Sequence, residues 1–294
     1  MLLDKLKNKI NQTWQLIKIS LIVLMRKKKL LLFPLFSLIG LFAVTTTYTA
    51  ISYFTGALFN ENGQISIPYT PYGNATLMDY IIYFGYIFSF YFINYLLIVY
   101  FNAALISCAK LYLNGKDPSI KDGFIQANSR IKSILGWALI AAFVSLFFKI
   151  IESNSKTFGK VISSILGVAW SMVTFLVIPI IVVEGKGPIE SFKESKALLK
   201  KSWGDQILLN VGFGIIFLPL IVITPFVLYA LFFSTDDIYH PIIFIFYISF
   251  WVLASILYSV IQTMFQTALY IYLKEGIEPN GFPPDLLNNS VISE

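Results

Sequence analysis

Residues 161–190 have the sequence VISSILGVAWSMVTFLVIPIIVVEGKGPIE. From Val161 to Val183 this stretch carries no charge and is apolar apart from small hydroxyl side chains. A transmembrane helix needs about 20 such residues to cross the hydrocarbon core of a bilayer. The segment Glu184–Pro188 then introduces two charged residues and two glycines. The stretch therefore predicts a membrane-spanning helix that is followed by a turn outside the membrane.

Five other apolar runs accompany this one along the chain. Hydrophobic residues make up 57% of the 294 residues and charged residues only 13%, whereas a soluble domain carries about 25% charged residues. A fold in water could not bury so much apolar surface, so we predict an all-α polytopic membrane protein. The six predicted transmembrane helices are Leu30–Phe59, Tyr80–Cys108, Ile134–Ile150, Val161–Val183, Ile207–Phe233 and Pro241–Leu273.

Lysine and arginine are distributed unequally between the connections. The N-terminal segment, the connections after the second and fourth spans, and the C-terminal segment hold 19 of them. The opposite side holds only Lys149, Lys156 and Lys160. Because positively charged connections stay in the cytoplasm, we predict that both termini are cytoplasmic. The abundance of Lys, Ile, Asn, Phe and Tyr indicates an AT-rich bacterial genome, and so the plasma membrane of a bacterium.

A Gly-x-x-Pro turn follows each even-numbered span, at Gly115–Pro118, Gly185–Pro188 and Gly276–Pro279. Glycine suits the left-handed conformation just past a helix end, and proline suits the first turn of the next helix. We therefore predict three parallel hairpin repeats. The predicted segments are an interfacial helix at 1–29, hairpins at 30–118, 119–187 and 188–279, and a cytoplasmic tail at 280–294.

Amphipathic stretches precede the three odd-numbered spans. Each has apolar residues at helical spacing on one face and Lys, Asn or Ser on the other. This pattern predicts helices that lie in the inner membrane interface, with lysines toward anionic headgroups. The apolar positions are Leu3, Leu6, Ile10, Trp14, Ile17 and Leu21, then Ile120, Phe124, Ile131 and Leu135, and finally Ile189, Phe192, Leu199 and Trp203.

The turn after the fourth span lies within a longer motif. Its residues are EGKGPI at 184–189, Ser191, Ser195, Leu199, Trp203 and Gly204. This motif resembles a signature of prokaryotic multi-helix membrane protein families of unknown function. Those families are similar to the membrane domain that precedes the catalytic domain in some glycerophosphodiester phosphodiesterases. The resemblance implies a membrane fold and compartment. We expect no phosphodiesterase reaction, since the chain ends shortly after the sixth span.

Amide side chains inside the predicted spans are candidates for a functional site. They are Asn94, Asn102, Asn210, Gln262 and Gln266. One interpretation is that they line a substrate cavity. The other is that they join neighbouring helices through hydrogen bonds of about 0.6–2 kcal/mol each. The sequence leaves both interpretations open.

Two prolines, Pro219 and Pro225, lie in the fifth predicted span. A proline inside a helix removes one backbone donor and crowds the preceding turn. We therefore predict a kink in this helix.

The third amphipathic stretch is the strongest candidate for a docking surface, through Lys193, Lys196, Lys200, Lys201 and Trp203. Its lysines follow acidic residues, an order that suits the helix dipole. The stretch either docks anionic lipid headgroups or a protein partner, or serves only as a topological anchor. Our leading hypothesis is a non-enzymatic membrane protein that organises lipids, a partner protein or a homo-oligomer through this basic face. The alternative is a permease or channel for a small or lipidic substrate, lined by the five amides.

The composition argues against several other classes of protein. With one histidine, His240, and one cysteine, Cys108, we see no nucleophile–base pair and no set of metal ligands. No phosphate-binding loop is readable either. The net charge of +6 is concentrated at the ends of spans and does not indicate nucleic acid. We therefore expect no catalytic residue, no cofactor, no metal and no nucleic-acid partner.

Overall fold

The computed structural model describes residues 2–54, 76–154, 158–200, 222–233 and 239–282. Within these ranges the chain forms α-helices joined by short turns, with no β-strand. A short 3₁₀ helix, Lys28–Leu31, connects the first two. The α-helices are α1 (Leu2–Arg26), α2 (Leu32–Phe54), α3 (Leu77–Leu113), α4 (Ile120–Ser129), α5 (Ile131–Asn154), α6 (Phe158–Val173), α7 (Val177–Glu184), α8 (Pro188–Lys200), α9 (Val222–Phe233) and α10 (His240–Glu275).

Five helical segments of the described chain are long and apolar enough to cross a membrane. They are Lys28–Phe54, Leu77–Leu113, Ile131–Glu152, Lys160–Glu184 and His240–Glu275. Large apolar side chains also face outward, such as Phe42 and Phe246, which are 74% and 72% exposed. A water-soluble bundle would bury such side chains. The structure therefore supports the prediction of a multi-helix membrane protein.

The third and fifth predicted spans differ from the helices of the structure. The third span is longer than predicted, since Ile131–Glu152 replaces Ile134–Ile150. Only the last part of the fifth predicted span is described, as the short apolar helix α9. Residues 207–221 of that span lie outside the described residues.

Helix α3 is at the centre of the bundle and contacts α2, α4, α5, α7 and α10. Small side chains are concentrated in its second half, where Ala103, Ala104 and Ala109 are completely buried. Small residues let helix backbones approach closely, which is how helices associate in membranes. This half of α3 therefore sets the positions of the elements around it.

Three helices end at the glycines that the sequence singled out. Gly115, Gly185 and Gly276 have φ angles of 76°, 73° and 64°, so the predicted left-handed conformation is confirmed. The prediction for the prolines is only partly right. Pro188 begins α8, but α4 begins after Ser119, which forms a capping box with Asp122.

The fourth span is not one continuous helix, contrary to the prediction for Val161–Val183. A turn at residues 174–176 separates α6 from α7. Its cause is Pro179, which lacks the N–H that would bond to the carbonyl of Phe175 and whose ring crowds that carbonyl.

The structure shows where some residues of the predicted apolar stripes lie, while their position in a membrane interface stays a prediction. On α8, Ile189 is 60% exposed, whereas Ser191 and Ser195 are completely buried. On α4, Phe124 stacks against Tyr100 and packs against Phe33. Ser191 and Ser195 of α8 and Phe124 of α4 are therefore directed toward the helix bundle.

Candidate functional site

Several helix ends meet on one face of the bundle, which we call the lysine-rich end. It comprises the end of α1, the start of α2, the end of α3, helices α4 and α8, and the end of α10. Lys110 at the end of α3 pairs with Glu275 at the end of α10, with 2.9 Å between Nζ and Oε1. Lys27 pairs with Asp117 at 2.5 Å. These pairs hold together ends that are far apart in the sequence.

A four-charge cluster joins the α7–α8 turn to α10. It consists of Glu184, Lys186, Glu194 and Lys274. Lys186 Nζ lies 2.6 Å from Glu184 Oε2, and Lys274 Nζ lies 3.6 Å from Glu184 Oε1. Both lysines also bond to Glu194. Tyr270 donates its hydroxyl to Glu184 Oε1 over 2.7 Å. Each carboxylate of the cluster is therefore shared by two cations.

The cluster is partly shielded from water. The side chains of Glu184 and Glu194 are 17% and 16% exposed. Burial opposes ionisation of Glu194, but the bonds from Lys186 and Lys274 outweigh it and lower the pKa of its carboxyl. The bonds to Glu184 and Glu194 raise the pKa of Lys186. Both shifts favour the charged forms of Glu194 and Lys186, and the formal charges of the two glutamates and two lysines of the cluster cancel.

Gly185 is favoured by its φ angle of 73°. A Cβ built on Gly185 would also displace the guanidinium of Arg130, the end of a flexible side chain. Arg130 follows α4, and Gln126 of α4 donates to the carbonyl of Val182, 3.1 Å away. The glycine of the motif thus lets the α7–α8 turn pack against the end of α4.

Outside this cluster, the lysine-rich end carries unpaired positive charge. At this end, eight described Lys and Arg side chains are exposed and without an ion-pair partner: Arg26, Lys28, Lys29, Lys116, Lys121, Lys132, Lys193 and Lys196. Most described carboxylates nearby are already engaged, in the four-charge cluster, in the pairs with Lys27 and Lys110, or in the α4 cap. Glu190 and Glu278 stay exposed. The surface charge of this end is therefore strongly positive.

The residues predicted for docking are only partly described. Lys193 and Lys196 lie exposed on α8, and Lys200 is the last residue of that helix. Lys201 and Trp203 lie outside the described residues, so their role stays a prediction.

Three of the five predicted amides meet at one cavity of about 240 Å³ between α2, α3 and α10. Asn102, Gln262 and Gln266 line it, as the transport hypothesis requires. Asn94 does not, because its amide donates to the carbonyl of Phe90 on its own helix, 2.7 Å away. Asn210 lies outside the described residues. The register of α10 against α3 therefore brings these three amides to one cavity.

Of the two prolines predicted to kink the fifth span, Pro225 lies within α9. Pro219 lies outside the described residues. The predicted kink therefore stays a prediction.

Side chains satisfy the backbone groups that the break before α7 sets free. Ser195 donates to the carbonyl of Val173 over 2.6 Å and accepts from the N–H of Leu176 over 3.2 Å. The amide of Gln266 donates to the carbonyl of Phe175. Unpaired backbone groups are costly in an apolar environment. The role of Ser195 was not predicted from the sequence, although Pro179 in an apolar run signals a break whose backbone groups need partners.

One family matches the chain. A family described as "Family of unknown function (DUF6159)" matches residues 81–280, which include the four-charge cluster and the cavity residues on α3 and α10. Since this is more than half of the chain, the protein belongs to that family. No curated protein and no solved structure matches the chain.

Proposed function

We propose that this member of a family of unknown function is a non-enzymatic membrane protein that organises anionic lipids through its lysine-rich end. The observation that carries the proposal is the imbalance of charge there. The described carboxylates are mostly consumed in internal pairs, whereas eight described cations remain exposed. Each lysine near an anionic membrane surface contributes about 1 kcal/mol of attraction.

The proposal includes six spans, with both termini on the cytoplasmic side of the plasma membrane. Five described segments have the length and apolarity of spans, and α9 lies in the fifth predicted run, Ile207–Phe233. The left-handed glycines at three helix ends support a threefold parallel arrangement. In this topology the lysine-rich end faces the anionic inner leaflet, as the positive-inside rule requires. The likeness to the membrane domain of certain phosphodiesterases, carried by residues 184–204, belongs to the same proposal.

A protein partner or a second copy of the chain is the competing occupant of this face. Lipid is favoured because the described part of α8 presents separate lysines and only one strongly exposed large apolar residue, Ile189. Stable protein interfaces are centred on buried aromatic and apolar anchors.

Lipid retention by lysine variants tests the proposal. We expect that replacing Lys193 and Lys196 together by Gln lowers retention of phosphatidylglycerol about tenfold, because two exposed charges are removed. The measurement is native mass spectrometry of protein reconstituted with equal amounts of phosphatidylglycerol and phosphatidylethanolamine.

The matched control removes two lysines from the opposite end, Lys149 and Lys160, and should leave phosphatidylglycerol retention unchanged. Equal losses in both double variants would show that only net charge matters and would overturn the proposal. The proposal would also be overturned if the wild-type protein retained the two lipids equally. It would likewise be overturned if the wild-type protein retained a protein partner at fixed stoichiometry in place of lipid.

A further inference from the structure

The cavity between α2, α3 and α10 contains polar groups that have no hydrogen-bond partner in the described part of the chain. Several hydroxyl groups elsewhere in the described spans donate to their own helix, as Ser107 does to Ala103 and Thr267 to Thr263, each over 2.7 Å. Ser37, Ser259 and Gln262 line the cavity, and none has a hydrogen-bond partner among the described residues. Polar groups inside an apolar bundle normally have partners. A bound molecule would supply the missing ones.

The other polar groups of the cavity are held in fixed positions. Thr263 donates to Oδ1 of Asn102 over 3.0 Å, which leaves the amide donors of Asn102 available. Gln266 uses its amide nitrogen on the carbonyl of Phe175, which leaves its oxygen available as an acceptor. The cavity thus offers both donors and acceptors in an arrangement fixed by neighbouring helices.

The cavity has no charged lining residue. Its remaining walls are apolar and include Pro34, Phe101, Leu105 and Ile98. Burying a phosphate or carboxylate without a cation is strongly unfavourable, so the lining favours an uncharged ligand.

The size and depth of the cavity further restrict the kind of ligand that it can bind. Drug-sized molecules occupy pockets of roughly 300–1,000 Å³, so a cavity of about 240 Å³ suits a headgroup and excludes a whole lipid. Asn102 precedes Lys110 by eight residues along α3, roughly 12 Å of helix, which places the cavity within the apolar layer. Ile98, 42% exposed, offers an apolar surface at the rim for an acyl chain.

We propose that this cavity binds the uncharged, hydroxyl- and ester-bearing headgroup of a neutral lipid such as diacylglycerol. Ser37, Ser259, Gln262 and the free groups of Asn102 and Gln266 hydrogen-bond the headgroup. The acyl chains leave past Ile98 into the bilayer. This site is distinct from the lysine-rich surface, which binds anionic headgroups.

Photocrosslinking tests the site. The full-length protein is reconstituted in nanodiscs of phosphatidylglycerol and phosphatidylethanolamine with a trace of photoreactive diacylglycerol. We expect crosslinks to peptides of α3 and α10 that unlabelled diacylglycerol displaces. Replacing Gln262 by Leu removes hydrogen bonds to the headgroup and should lower the yield about tenfold. Since Gln262 has no hydrogen-bond partner among the described residues, the melting temperature of the variant should stay unchanged.

The matched control is Asn94→Leu, which removes an amide from the same bundle away from the cavity and should keep the full crosslinking yield. Equal losses in the two variants, or no loss in Gln262→Leu, would overturn the proposal. So would equal displacement by phosphatidylglycerol, which would show that the headgroup is not selected. Displacement by free glycerol at the same concentration would show that no lipid is required, and would overturn it too. If the cavity does not bind neutral lipid, the anionic-lipid proposal remains intact, because the two sites share no residue.

Discussion

Replacing Gly123 by Ala is expected to lower the free energy of unfolding by at least about 1–3 kcal/mol, the range for overpacking a close-packed core. A Cβ at this position would lie 2.7 Å from the carbonyl oxygen of Ala104 and 2.8 Å from both Cys108 Sγ and Phe33 Cζ. The oxygen belongs to the backbone of the central helix α3, so it cannot move aside. Helix α4 must therefore shift away from α3.

Two measurements detect this shift of α4 away from α3. Thermal unfolding of the purified protein reports the loss of stability. The reactivity of Cys108 reports the local change, because it is the only cysteine of the chain and is 1% exposed. Gly123→Ala should melt earlier and label faster with a thiol reagent. The matched control is Gly85→Ala, where a Cβ meets nothing within 4 Å. A Gly123 variant as stable and as unreactive as the Gly85 variant would contradict the close contact between α3 and α4.

Replacing Glu194 by Gln is expected to destabilise the lysine-rich end by about 1–3 kcal/mol. The carboxylate of Glu194 bonds to both Lys186 and Lys274, and removing one member of a shielded pair leaves its partners uncompensated. The two lysines are 36% and 37% exposed, so water recovers part of the loss. Thermal unfolding and the rate of proteolysis after α8 measure the effect.

Glu190 provides the matched control for this change. It lies on the same helix, is exposed, and pairs with no described residue. Glu190→Gln should unfold at the wild-type temperature. If both variants behave alike, the four-charge cluster does not hold α8 against α10.

The sequence predicts the membrane-spanning character of the chain well because apolar length is a property of each segment alone. Runs such as Tyr80–Cys108 carry that information without reference to neighbours. The glycines at 115, 185 and 276 are equally predictable, since a helix end that needs a positive φ favours glycine locally.

The contacts between helices could not be predicted in the same way. Ser195 faces the bundle because the break before α7 leaves the carbonyl of Val173 and the N–H of Leu176 to be satisfied. That break depends on Pro179, whose consequence for α8 appears only when the helices are packed. Hydrophobic periodicity placed Ile189 and Leu199 on one apolar face, but only the packed structure shows that Leu199 is buried in the bundle and Ile189 is exposed.

In the candidate site too, the types of residue could be predicted from the sequence, whereas their contacts could not. The sequence selected Asn102, Gln262 and Gln266 correctly as polar residues inside spans, but it could not separate them from Asn94. Only the register of α10 against α3 brings the first three to one cavity. Similarly, Lys186 and Lys193 look alike in the sequence, yet one is neutralised in the four-charge cluster and the other remains free at the surface.

The proposed cytoplasmic position of the lysine-rich end connects the charge distribution, the topology and the proposed binding of anionic lipid. It is tested most directly by labelling Lys193→Cys and Lys160→Cys with a membrane-impermeant maleimide in sealed right-side-out vesicles. The parent protein is the blank, because Cys108 is buried. We predict that Lys160→Cys labels at once and that Lys193→Cys labels only after permeabilisation. Immediate labelling of Lys193→Cys with protection of Lys160→Cys would place the lysine-rich end outside and contradict the proposed function.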